Sequence, residues 1–130
     1  MSASAVNVKV AYIRPKYKNL EDWMKDTNNV YTARKGVVFI DKVRFPKSDS
    51  LWANPYKITA KNTLKQVLTQ YEEYIRDKIA KGEITKEQLS ELKGKKLGCW
   101  CVEKETEYDP DRTKWVCHTQ VLLQLLKEID

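Results

Sequence analysis

The chain has 130 residues, a mass of 15.2 kDa and a net charge of +6, and this length suits one domain with its own hydrophobic core. Three cysteines are too few for a disulfide scaffold, so we expect a cytoplasmic protein whose thiols are free or metal-bound. No apolar run is as long as a membrane span and no secretory signal opens the chain, so we expect no membrane partner.

Alternating apolar residues near the N-terminus predict a first strand. They are Val6, Val8, Val10 and Tyr12. A period of two is typical of a half-buried strand, and we expect this one to end near Pro15. Residues 16–29 are polar apart from Leu20, Trp23 and Met24, which predicts a short helix or an irregular connection with one apolar edge.

Two further strands are predicted before the middle of the chain. Val30–Ala33 is the second and Val37–Ile40 is the third, with Val43 and Phe45 as an extension of the third strand. Lys47–Ser50 has the composition of a turn. The following segment Trp52–Tyr56 contains an Asn-Pro step that disfavours helix, so we expect an ordered loop there.

The period changes to that of a helix at Leu64. Thr63 and Gln66 fit a capping box, and Gly82 suits the end of the helix. A shorter helix with the same kind of cap follows at Thr85.

One strand and one helix complete the chain. Leu97–Cys101 is short, apolar and preceded by helices, which predicts a buried central strand. Val121–Ile129 carries apolar residues on one helical face. Together the elements predict a single α/β domain over residues 1–130, with a mixed or mostly parallel sheet and helices on its faces.

The three cysteines and the only histidine are concentrated near the C-terminus. They are Cys99, Cys101, Cys117 and His118. In a strand, Cys99 and Cys101 would point to the same side, near the carboxyl end where α/β sheets collect ligands. Cys117 and His118 precede a helix whose N-terminus favours anions and thiolates. We therefore expect the two halves of the cluster to meet.

Three interpretations of this cluster remain open. Cys99, Cys101, Cys117 and His118 supply a Cys₃His set for zinc, although one residue between the first two is tighter spacing than usual. The cluster also fits a catalytic or ligand-binding pocket with Cys117 or His118 facing a phosphate or sugar. The third interpretation is that small cysteines fill a buried strand and His118 only caps the helix.

The order of several motifs resembles domain-of-unknown-function family 4326, small proteins of bacteria, phages and large DNA viruses. The motifs are Val30–Arg34, Trp52–Tyr56, Tyr71–Ile75, Leu92–Cys101, and Cys117-His118 with Val121-Leu122. The resemblance covers about residue 30 to the C-terminus. Ala33 and Ala53 stand where the family usually has glycine, and residues 36–50 look like an insertion.

The resemblance also implies which residues form a site. Cys-His at a helix start is similar to the arrangement in a Rossmann-like family whose wider relatives handle nucleotides, so we expect a Rossmann-like fold. In one pocket, Arg34 would bind an anionic group, Asn54 a base or sugar edge, and Trp52 would stack on the base. Cys101 would line this pocket. Its reactive end would be formed by Cys117, as nucleophile or as an oriented polar group, and by His118 as general acid or base.

The leading functional hypothesis is a pocket that processes or sequesters a nucleotide-type small molecule. An alternative is a zinc-stabilised nucleic-acid-binding module, since ten lysines and arginines against four carboxylates lie from Lys9 to Lys47, while the rest of the chain is neutral. A third hypothesis is a viral or phage protein that binds a host protein.

Overall fold

The computed structural model describes residues 3–129. The strands are β1 (Ser4–Asn7), β2 (Asn29–Tyr31), β3 (Val38–Ile40), β4 (Val43–Phe45), β5 (Lys96–Cys99) and β6 (Glu105–Thr106). The helices are α1 (Val10–Ile13), α2 (Leu20–Lys25), α3 (Leu64–Ala80), α4 (Lys86–Ser90) and α5 (His118–Ile129), and Arg112–Lys114 forms a 3₁₀ turn.

A four-stranded sheet forms the centre of the fold, in the order β2-β5-β1-β6. Strand β5 pairs in parallel with β2 on one side and with β1 on the other, and β6 pairs antiparallel with β1. The three parallel strands therefore end at the same edge of the sheet. The predicted mostly parallel sheet and the central position of the cysteine-bearing strand are confirmed.

Helices pack on both faces of this sheet because its inner strands are apolar on both sides. On one face, Ala5, Leu97 and Cys99 belong to a core completed by α3, α4 and α5. On the other face, Val6 and Tyr31 belong to a smaller core with α2. The three layers are thus already encoded in the alternation of β1 and β5.

The prediction for the first strand is partly wrong. Strand β1 ends at Asn7, and Val10 and Tyr12 belong to the single helical turn α1, where they are 40% and 46% exposed. The Asn7 side chain accepts a hydrogen bond from the backbone N–H of Lys9 at 2.9 Å. Because Asn side chains compete in this way with the strand ladder, the chain turns before the alternation ends.

The predicted extension of the third strand is also wrong. Strands β3 and β4 form a separate antiparallel hairpin, which occupies most of the suspected insertion at 36–50. Its turn residues Asp41 and Lys42 have φ values of 51° and 67°. Two successive left-handed residues reverse the chain tightly, which is the geometry of a type I′ hairpin turn.

The other elements agree with the sequence patterns. Leu20–Lys25 is the expected short helix, and α3 begins with a complete capping box formed by Thr63 and Gln66. Helix α4 has the same cap, formed by Thr85 and Gln88. Strand β5 ends at Cys99, two residues before the end of the predicted strand 97–101. Cys101 therefore lies in the turn that follows.

Gly98 is a position where the sheet and α2 approach each other closely. A Cβ atom added there would lie 2.5 Å from Trp23 Cη2 and 2.8 Å from Val8 Cγ1. We expect Gly98→Ala to destabilise the fold by about 1–3 kcal/mol, because overpacking forces side chains and backbone to shift. Urea unfolding followed by circular dichroism would measure this change.

A double-mutant cycle supplies the control for this prediction. In a Trp23→Leu background, most of the crowding is relieved, so Gly98→Ala should cost less than it does in the natural sequence. An equal cost in both backgrounds would show that contact with Trp23 is not the reason for the glycine.

Candidate ligand-binding site

A pocket of about 530 Å³ lies where β2 and β5 end and α5 begins. Its wall is completed by the loop after Trp52 and by the first turns of α3. Most of the lining is apolar, and its polar or reactive residues are Arg34, Asn54, Lys57, Cys101, Cys117 and His118. Two of these are cations and none is a carboxylate, so the pocket favours an anionic ligand.

Arg34 fixes the loop that forms one wall of the pocket. Its Nε donates to the carbonyl of Asn54 at 2.8 Å, and its Nη2 donates to the carbonyl of Tyr56 at 2.7 Å. No carboxylate of the described residues pairs with this guanidinium. Arg34 therefore keeps an uncompensated positive charge and Nη1 for a ligand, while it also holds the loop.

The oxygen of the Asn54 side-chain amide bonds to the protein, and its nitrogen is available in the pocket. Its Oδ1 accepts from the Tyr56 backbone N–H at 2.9 Å. Its Nδ2 has no acceptor among residues 3–129, although Asn54 is only 7% exposed and lines the pocket. Since no fully buried side-chain nitrogen of the described residues lacks a partner, Nδ2 reaches the surface of the pocket and can donate to a ligand.

A buried hydrogen-bond network joins the end of β2 to the start of α5. His118 Nε2 lies 2.6 Å from the carbonyl oxygen of Thr32. The Thr32 hydroxyl is 2.9 Å from the hydroxyl of Thr119 and 2.9 Å from the carbonyl of Gly98. These contacts connect β2, β5 and α5 directly behind the pocket.

The environment keeps the His118 ring neutral. Because a carbonyl only accepts, Nε2 must carry the proton, and Nδ1 is left as an acceptor 3.8 Å from Cys117 Sγ. Burial lowers the pKa of His118 to about 4, and the nearby charge of Arg34 acts in the same direction. At neutral pH the ring is a fixed hydrogen-bonding group.

The three thiols have different exposure and acidity. Cys99 and Cys117 are 0% and 1% exposed, whereas Cys101 is exposed to solvent. The neighbouring Cys117 thiol lowers the pKa of Cys101 and of Cys99, whereas the pKa of Cys117 itself is raised well above the usual value.

Negative charge in this cluster is best placed on Cys101. A charge on Cys99 raises the pKa of Cys101, and water stabilises a thiolate at the exposed position. Arg34 also lowers the pKa of Cys101. Cys101 is therefore the thiol that a ligand in the pocket can reach.

The structure brings together most of the residues that the sequence singled out. Arg34, Asn54, Cys101, Cys117 and His118 all line the pocket. Trp52 does not line it, because its ring is buried in the core and its carbonyl accepts from Tyr71 at 2.7 Å. Cys99 is also behind the pocket wall.

The aromatic residues at the pocket are ones to which the sequence assigned no role of their own, although Trp100 belongs to the family motif Leu92–Cys101. Tyr56 and Trp100 both line it. Trp100 Nε1 donates to the Tyr31 hydroxyl at 2.9 Å, which fixes the indole at the rim. Lys57 likewise was missed, although its position directly after the loop Trp52–Tyr56 was a usable signal.

The possible metal ligands are the histidine, cysteine and carboxylate side chains. Within residues 3–129, no group of three or more histidine, cysteine, aspartate and glutamate side chains is arranged to hold a metal ion. His118 has both ring nitrogens directed at protein atoms, Thr32 O and Cys117 Sγ. The Cys₃His zinc site stays a prediction from the sequence.

The fold and the pocket define an α/β protein with a ligand-sized pocket at the carboxyl edge of its parallel strands. The chain belongs to the family described as "Domain of unknown function (DUF4326)", which matches residues 16–128. The predicted family is confirmed, and the match begins earlier than expected.

A viral relative was found among curated proteins. The chain is 34% identical over 82 residues to "Uncharacterized protein R718" of Acanthamoeba polyphaga mimivirus. The alignment covers 63% of this chain and 57% of the relative, so the chain spans little more than half of that protein. No solved structure matches the chain. None of the helices in residues 3–129 is long and apolar enough to cross a membrane.

The acidity of His118 is directly measurable, because it is the only histidine. NMR titration of its imidazole C–H signals, on protein without a histidine tag, should give a pKa of about 4. The unfolded chain binds this proton near pH 6.5. Stability should therefore fall by about 3 kcal/mol or less as pH decreases from about 6.5 to about 4.

The variant His118→Gln separates this effect from the titration of carboxylates. Its amide can still donate toward Thr32 O, but it does not titrate. The decrease of stability over this pH range should be smaller in the variant, and an imidazole midpoint near 6.5 would contradict a buried neutral ring.

Cys101 should be the first of the three thiols to be alkylated. Iodoacetamide at pH 7, followed by peptide mass spectrometry, should modify Cys101 well before Cys99 and Cys117. The variant Cys117→Ala removes the neighbouring thiol that lowers the Cys101 pKa, so alkylation should become several-fold slower.

The matched control is Cys99→Ala. It removes a sulfur whose charge raises the Cys101 pKa, so the rate at Cys101 should stay equal or increase. Slowing by both variants to the same extent would indicate a general loss of structure instead.

Proposed function

We propose that the protein binds a nucleotide-type small molecule in the pocket between Arg34, Asn54 and the start of α5. The observation that carries the proposal is the combination, in one apolar pocket, of a guanidinium without a carboxylate partner and an amide donor without a protein acceptor. Specific ligand sites have this composition, an apolar lining with few polar groups that fix orientation.

The anionic part of the ligand is assigned to the Arg34 side of the pocket. Arg34 and Lys57 are its two cations, and a guanidinium forms charge-assisted hydrogen bonds with phosphate oxygens. The N-terminal end of the twelve-residue helix α5 also faces the pocket through Cys117 and His118. The positive end of the helix dipole favours a phosphate there.

The base is assigned to the aromatic side. Tyr56 and Trp100 offer ring surfaces for stacking. The free Nδ2 of Asn54 supplies one donor for an acceptor on the base or sugar. The volume of about 530 Å³ suits a mononucleotide and lies within the usual range for small-molecule sites.

The layered architecture supports the same proposal. In a Rossmann-like fold, ligands bind beyond the carboxyl ends of parallel strands, where successive connections leave on opposite faces. Here α2 lies on one face and α5 on the other, and the pocket is at that edge. We therefore retain the Rossmann-like interpretation, with nucleotides of the cytoplasm as the source of ligand.

Capture and turnover would use the same pocket in different ways. Cys117 and His118 as catalytic residues stay a prediction; in this pocket a protonated Cys117 would act by lowering the pKa of Cys101, and a neutral His118 by orienting Cys117. Incubation with nucleotide followed by chromatography would distinguish unchanged ligand from product.

Asn54→Asp is the sharpest test of nucleotide binding. The substitution keeps the oxygen that accepts from Tyr56 and so keeps the loop, but it removes the Nδ2 donor and adds negative charge beside the phosphate. We expect the affinity for AMP, GMP, CMP or UMP, whichever binds most tightly by calorimetry, to fall at least tenfold.

The control for charge is Asn28→Asp. Asn28 is exposed at the opposite edge of the sheet, before β2 begins, so the same change there should leave binding within about twofold. If none of the four nucleotides binds the natural protein, or if Asn54→Asp binds as tightly as the natural protein, the proposal is wrong.

A further inference from the structure

The net charge of the protein is concentrated in the segment that surrounds the pocket mouth. We call residues 32–63, which connect β2 to α3 and include the β3–β4 hairpin, the rim segment. Its two carboxylates are Asp41 and Asp49. Its seven cations are Arg34, Lys35, Lys42, Arg44, Lys47, Lys57 and Lys61. The segment carries +5 of the total charge of +6.

These cations are not neutralised by the protein. None of the ion pairs among residues 3–129 includes a rim cation; those pairs join residues of α3, β5, β6, α5 and their connections. Asp49 is engaged by the backbone N–H of Lys35 at 2.8 Å. The rim segment therefore presents charges that are available to an anionic partner.

The same segment exposes large apolar side chains. Six of the nine exposed large hydrophobic residues in the described chain lie in it: Val37, Phe39, Val43, Leu51, Tyr56 and Ile58. Phe39 is 65% exposed, and the Arg44 guanidinium lies 4.8 Å from the centre of its ring. Exposed aromatic rings beside unpaired cations are the combination that single-stranded nucleic acids recognise, through stacking and phosphate contacts.

We propose that the rim segment binds single-stranded nucleic acid, and that one nucleotide of the strand enters the pocket. The second part rests on the proposed function, because it takes the pocket as a nucleotide site. Val37 and Arg34 line the pocket and are joined to the hairpin through the bonds Gly36 N–Pro46 O and Val37 N–Phe45 O, of 2.9 and 3.1 Å. A strand on the hairpin is thus continuous with the pocket.

Charge decides on which side of the hairpin the strand runs. A groove of about 460 Å³ lies between β3 and helices α1 and α2. It contains three cations and three carboxylates, which are Arg14, Lys18 and Lys25 against Glu21, Asp22 and Asp41. The pocket side has cations only, so the phosphates lie on that side, while the exposed Phe39 ring, which lines the groove, is offered to a base that reaches across the hairpin.

The test uses fluorescence anisotropy with a labelled twelve-nucleotide strand of mixed sequence, made as RNA and as DNA. The variant Lys35→Gln/Lys42→Gln/Lys47→Gln should weaken binding at least tenfold and reduce the slope of log affinity against log salt by about two, since each phosphate contact in a single strand contributes about 0.7. Phe39→Ala should weaken binding about fivefold or more by removing stacking.

The matched control removes three charges elsewhere. Lys81→Gln/Lys86→Gln/Lys104→Gln changes net charge equally at exposed positions outside the rim segment. It should leave the affinity and the salt slope nearly unchanged. A duplex of the same sequence should bind more weakly than the single strand, because its bases are not free to stack.

The outcomes separate this inference from the pocket proposal. Loss of strand binding in the rim variants, with mononucleotide affinity unchanged, supports the inference, and preference for RNA or DNA identifies the sugar. No strand binding by the natural protein, or equal effects of the rim and control triple variants, overturns it even if mononucleotides bind. Strand binding without mononucleotide binding keeps the rim surface and rejects the nucleotide pocket.

Discussion

The hydrogen bond between His118 and the carbonyl of Thr32 is the contact on which the rest of the site depends. At 2.6 Å it joins the first residue of α5 to the residue after β2, two points 86 residues apart in sequence. The Thr32 and Thr119 hydroxyls repeat the connection one step deeper. A buried network of this kind is stabilising when every member is satisfied, and no fully buried side-chain nitrogen or oxygen among the described residues lacks a partner.

Because of this contact, His118, Cys117 and Cys101 have different roles. With Nε2 held by the carbonyl, the imidazole of His118 directs only Nδ1 at Cys117. The Cys117 thiol in turn lowers the pKa of Cys101, whose sulfur reaches solvent and the pocket. The buried groups thus set the acidity of an exposed one, and burial is what makes each of these interactions strong.

The sequence predicted the elements that local patterns control and failed where distant contacts decide. Capping boxes and helical spacing located α3 and α4, and the family motifs placed Arg34, Asn54 and His118 in one pocket. The end of β1 was wrong because Asn7 turns the chain, and Trp52 was assigned to the ligand although it fills the core. Trp100 and Tyr56, and not Trp52, line the pocket because of how the end of β5 and the loop Trp52–Tyr56 lie against each other. No local sequence pattern predicts that arrangement.

Arg34 belongs both to the pocket lining and to the rim segment. Its Nε and Nη2 hold the loop of Asn54 and Tyr56, so the residue that attracts an anion also shapes the wall beside it. If the ligand were a free nucleotide alone, this one cation with Lys57 would suffice, and the five further cations and exposed apolar residues of the rim segment would have no partner. A strand gives both features one explanation, because each additional phosphate meets a cation that the protein leaves unpaired.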